Sequence, residues 1–110
     1  MNSLLSEIKN IYGESKMKNI GLHMHCTDKQ IGEILTIGTH NNIYSYDVSL
    51  AKLGGCPNAF NKTEDLVGNM NTIKTIEYIN KHNMGQIIGN PDLHKLRKIE
   101  NKLLHLLNRN

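Results

Sequence analysis

Tryptophan is absent and phenylalanine occurs once, so aromatic residues make up only 5% of the chain. None interleaves the basic residues near the end of the chain, which argues against the stacked binding of single-stranded nucleic acid there. Cysteine occurs twice. Cys26 and Cys56 stand at unrelated positions and make no disulfide framework, which points to a reducing, cytoplasmic compartment. No apolar run is long enough to cross a membrane. The opening Met1-Asn2-Ser3-Leu4-Leu5-Ser6-Glu7 has no basic region and meets an acid early, so no secretory leader is expected. A net charge of +3 is too weak to imply nucleic acid unless it is clustered.

What is present fits one small domain. The 110 residues are 38% apolar, enough for a modest core. Leu4, Leu5, Ile8 and Ile11 fall at helical spacing and predict a helix over 3–12, ended by Gly13. Residues 14–18 read as a polar linker. Asn19 to His25 reads as a strand, with Ile20, Leu22 and Met24 on one face and His23 and His25 on the other. Thr27 and Gln30 form a capping box for a helix whose inner face is Ile31, Ile34, Leu35 and Gly38. Asn41-Asn42 closes that helix, and Ile43 to Val48 is a second strand.

Further on, Thr63 opens a predicted helix with Glu64 and Asp65 in its first turn, where the helix dipole favours acids. Leu66, Val67, Met70 and Ile73 form its inner face, and Ile76 and Ile79 extend it to about His82. Gly68 and Asn71 weaken its middle. Pro91 suits the first turn of a last helix, with Leu93, Leu96, Ile99, Leu103 and Leu106 inside. Strands alternating with helices predict an α/β fold with parallel pairing. In such sheets chemistry gathers at the C-terminal ends of strands.

The candidate chemistry lies there. His23-Met24-His25 offers a cation two imidazoles from one rigid element, although a histidine pair alone is more often ordinary surface or core. Cys26 should point the other way, as a small buried residue. Leu53-Gly54-Gly55-Cys56-Pro57 is a turn that can hold a thiol against a ligand, or simply a tight turn around a small hydrophobe. A thiol acts near neutral pH only when a cation or helix N-terminus lowers its pKa, and Thr63 places a helix start nearby. Asn58 and Asn61 carry amide oxygens that suit a hard cation, or are plain loop residues. Lys95, Arg97, Lys98, Lys102 and Arg109 make the last helix basic, as a solvated face does.

Together these stretches resemble a known family. His23-Met24-His25-Cys26-Thr27, Gln30, Val48 through Leu53-Gly54-Gly55-Cys56-Pro57, and Thr63-Glu64-Asp65-Leu66-Val67 are similar to the C-terminal part of hydroxymethylglutaryl-CoA lyase. The likeness departs at Cys26, where the family has Asp, at Lys29, where it has Gly, and in a shorter cysteine loop. The resemblance implies a TIM barrel that uses magnesium or manganese to cleave 3-hydroxy-3-methylglutaryl-CoA to acetyl-CoA and acetoacetate. It implies His23 and His25 as metal ligands, with Asn61 the nearest match to an amide ligand and Asn58 a poorer one. Cys56 would be the catalytic loop thiol.

A whole barrel takes roughly 250 residues. Residues 1–110 are therefore expected to form a single fragment of it, a partial TIM barrel with its last β/α units only: two parallel strands and about four helices. Such a fragment is expected to be inactive alone. Its partners would be an acyl-CoA substrate and either a second copy or a complementing chain. The other reading is a non-catalytic remnant or interaction module that pairs through exposed strand edges.

Overall fold

The structure is a computed structural model and describes residues 2–53, 67–84 and 91–107. Helix α1 spans Asn2–Tyr12 and buries Leu5, with Ile8 packed beside it, while Leu4 and Ile11 face outward. Gly13 ends it at φ 91°, its N–H donating to the Lys9 carbonyl at 2.8 Å. That φ suits a residue with no Cβ. Residues 14–18 are not a simple linker. Glu14–Asn19 forms a 3-10 turn whose Met17 is fully buried, so one apolar side chain anchors a polar run.

The strand expected over Asn19–His25 is two short strands, β1 at Gly21–Leu22 and β2 at His25–Cys26. Alternation persists through both. Leu22, Met24 and Cys26 pack inward, whereas His23 and His25 stay exposed. The hydrogen-bonding partner is what changes. β1 pairs in parallel with β3 (Ser45–Tyr46), and β2 pairs antiparallel with β4 (Gly68–Asn69).

Between β1 and β3 runs helix α2, Ile31–His40. The Thr27 N–H donates to Gln30 Oε1 at 2.9 Å, closing the expected capping box around a 3-10 turn at Asp28–Gln30. Ile31, Ile34, Leu35 and Gly38 are its buried face. Gly38 is required by a close approach: the Tyr46 hydroxyl lies where a Cβ would stand. That hydroxyl donates to the Ile43 carbonyl at 3.0 Å. A helix joining two parallel strands makes the fold α/β.

The helix expected from Thr63 to His82 is shorter. Thr63 to Leu66 lie outside the described residues. Gly68 and Asn69 form β4, and helix α3 runs Thr72–Lys81. Asn71 is its N-cap and accepts from the Lys74 N–H at 3.0 Å. Met70 is fully buried in the core, as its place on the expected inner face implies, but it lies between β4 and α3 rather than within a helix. Helix α4, Leu93–Leu106, starts after an Asp92 cap, so Pro91 precedes the helix rather than entering its first turn. Its face is also rotated. Leu104 is buried, while Ile99 and Leu106 are exposed.

Two apolar clusters result. One joins Cys26, Ile31, Ile34, Leu35, Met70 and Ile79; the other joins Leu5, Met17 and Ile43 under β1 and β3. Full burial of a Leu-sized side chain contributes roughly 1.5–3 kcal/mol, so Leu35, Ile43 and Ile79 are main supports.

Candidate functional site

Among the described residues the parallel pair is covered on one face only. Leu22 and Tyr46 pack toward the cluster formed with α1 and α2. Gly21, His23, His25, Ser45 and Asp47 are exposed. β1 and β3 both run toward His23 and Asp47, so these residues stand together at the C-terminal end of the pair. The register Gly21↔Ser45 and Leu22↔Tyr46 brings His23 opposite Asp47, whose N–H donates to the Leu22 carbonyl at 2.9 Å. His23 Nδ1 lies 3.0 Å from Asp47 Oδ2.

The rings of His23 and His25 meet edge to face, with centroids 5.2 Å apart. A cation about 2.1 Å from one nitrogen of each ring, at tetrahedral or octahedral angles, sets ring centres roughly 4.5–5.5 Å apart. The 5.2 Å separation lies in that range, and equally in the ordinary range of two rings in edge-to-face contact. With Nδ1 of His23 engaged by Asp47, Nε2 is the ring nitrogen left available. Among the described residues no group of three or more His, Cys, Asp or Glu side chains gathers as a metal cluster. Asn61, Asn58 and Cys56 lie outside the described residues. What is on view is a pair of imidazoles, a donor type that suits zinc, nickel or copper better than magnesium.

Cys26 takes no part in this surface. It is buried in the core, and burial raises its thiol pKa. An inert, protonated thiol is the result. A separate feature is an ion pair that the local sequence pattern does not announce. Lys52 Nζ is 3.3 Å from Asp28 Oδ1, with both side chains largely buried. The contact is electrostatic, for Oδ1 makes no well-directed hydrogen bond.

This pair fastens the turn Leu50–Lys52, which precedes the Gly54-Gly55-Cys56 stretch. Ala51 and Lys52 there have φ of 56° and 59°, a left-handed conformation that costs a non-glycine residue about 1–2 kcal/mol. Three further bonds hold it. Ser49 Oγ donates to the Leu53 carbonyl at 2.8 Å, Asn69 Nδ2 donates to the same carbonyl at 2.7 Å, and the Ala51 N–H donates to Glu100 Oε2 at 3.1 Å. Strained backbone of this kind persists only where its surroundings over-determine it.

The basic side chains of α4 behave as a solvated face. Lys95, Arg97, Lys98 and Lys102 are exposed, and Arg97 pairs with Glu77 at 3.5 Å. No described helix is long and apolar enough to cross a membrane. Fold and site thus define an α/β protein with a histidine pair and a carboxylate at the C-terminal end of parallel strands. Comparison with protein-family models, with curated proteins and with solved structures finds no match.

Proposed function

We propose that the chain forms the last β/α units of a hydroxymethylglutaryl-CoA lyase-like barrel, with His23 and His25 as ligands of its divalent cation and Cys56 as its proton-transferring thiol. One observation carries this reading: a parallel strand–helix–strand unit with both imidazoles at the C-terminal end of the pair. That is the end at which TIM barrels place their active sites. The bare face with Gly21, His23, Ser45 and Asp47 corresponds to the side a barrel would turn inward. Further strands would cover it, since barrel strands are buried on both faces.

When bound, the cation would polarise the substrate oxygens and so stabilise charge that develops during carbon–carbon cleavage. His23 and His25 hold and orient that charge. Cys56 moves a proton, a contribution worth about 10²–10⁴-fold. Two imidazoles and an amide such as Asn61 leave the coordination incomplete, so activity requires strands from another chain.

A second reading keeps the same geometry without catalysis. Among the described residues β1 pairs only with β3, so both outer edges of this pair are open to another chain. The two readings separate in one assay. The purified chain is supplied with 3-hydroxy-3-methylglutaryl-CoA and manganese, alone and with a chain carrying the other strands of such a barrel. Acetoacetate is expected from the mixture only, and not after His23→Ala or Cys56→Ala. A mixture that co-sediments but makes no acetoacetate would leave the interaction module as the reading that stands.

A further inference from the structure

The position of Asp47 assigns it a role that the histidine pair alone does not suggest. We propose that Asp47 is a positioning residue: its carboxylate accepts the Nδ1–H of His23 and thereby makes Nε2 the ligand nitrogen. This rests on the metal-site reading above. The pairing does not depend on long, mobile side chains. The parallel ladder sets His23 and Asp47 opposite one another, and the Asp47 N–H bond to the Leu22 carbonyl pins that register. The two side chains then meet at 3.0 Å on the exposed face.

An imidazole has two tautomers, and the partner of one nitrogen decides which lone pair is left free. A carboxylate on Nδ1 holds the hydrogen there and leaves the Nε2 lone pair for a ligand. It also fixes the ring against rotation, as carboxylates behind metal-bound histidines commonly do. His25 stands against the same ring at 5.2 Å, so His23 is held from two sides. The competing account is a solvent-exposed ion pair with protonated His23, since the side chains are 59% and 73% exposed. Such pairs contribute little and do not select a tautomer.

Two measurements decide between them. The first uses no metal: ¹⁵N-resolved NMR of the histidine rings at a pH where they are neutral. His23 is expected in the Nδ1–H tautomer, which a free imidazole in water disfavours. In Asp47→Ala it should revert to Nε2–H while His25 keeps its signals. The second is calorimetric titration with zinc. Asp47→Ala should weaken binding by about 10–100-fold, and Asp47→Asn, which keeps an acceptor, should fall between. Asp47 is 73% exposed, so these variants should keep the fold. An Nε2–H tautomer in the unaltered chain overturns the proposal. So does zinc affinity that His23→Ala weakens and Asp47→Ala does not. Zinc affinity unchanged by His23→Ala overturns the metal-site reading itself, and the tautomer measurement then still reports whether Asp47 holds the ring.

Discussion

Replacing Lys52 with Met should destabilise the chain by about 3–5 kcal/mol, the usual cost of breaking a buried ion pair by removing one partner. The Lys52 and Asp28 side chains are 6% and 12% exposed, so little solvent is at hand to compensate the Asp28 carboxylate. Met retains the length of the aliphatic stem and suffers the same left-handed backbone, φ 59°, so the electrostatic loss dominates. Lys52→Gly loses the same pair but relieves the backbone by about 1 kcal/mol, and should therefore be the milder substitution. Adding Asp28→Leu to Lys52→Met removes the stranded charge and should restore most of the loss. Small domains have only about 5–15 kcal/mol in total, so the effect is large. Urea unfolding measures it: with a slope near 1–3 kcal/mol/M, the midpoint should fall by roughly 1–5 M in Lys52→Met, with the slope unchanged. A loss below about 1 kcal/mol, or a double variant no better than the single, would show that the pair does not hold the turn.

Two further outcomes follow from the packing. Gly38→Ala should cost about 1–3 kcal/mol through overpacking against the Tyr46 ring, measured as a lower thermal midpoint; an unchanged midpoint would mean that the ring moves aside freely. Burial raises the Cys26 thiol, so its folded value exceeds the unfolded one. Its stabilising contribution is then intact below the ordinary thiol value of about 8.5 and lost as pH rises through the raised folded value. The difference between the urea midpoints of the chain and of Cys26→Ala should accordingly narrow as pH rises above the ordinary thiol value, and a difference independent of pH would contradict the burial argument.

Much of this architecture is legible where chemistry is local. Thr27 and Gln30 announce a cap, and Ile31, Ile34, Leu35 and Gly38 announce a buried helix face, because each depends only on near neighbours. The alternation from Ile20 to Cys26 likewise places the imidazoles outward. It does not say that the ladder changes partner midway, for that depends on where β3 and β4 lie. Gly68-Asn69 is hidden between Val67 and Met70, whose spacing mimics a helix. Only the contact with His25 and Cys26 makes it a strand. The face of α4 is misjudged for the same reason: Leu103 and Leu104 are adjacent, and packing selects Leu104. Asp47 and the Lys52–Asp28 pair carry no signal in the linear sequence, since both arise from residues brought together across 24 positions.

The central claim is that His23 and His25 act together as ligands of one cation. Calorimetric titration of the full chain with zinc and with magnesium, for the unaltered protein, His23→Ala and His25→Ala, tests it most directly. The account predicts zinc binding well above magnesium binding, and a loss of at least about 10-fold, the scale on which even a supporting residue acts, from either substitution. Zinc affinity that survives both substitutions, or tight magnesium binding indifferent to them, would contradict it.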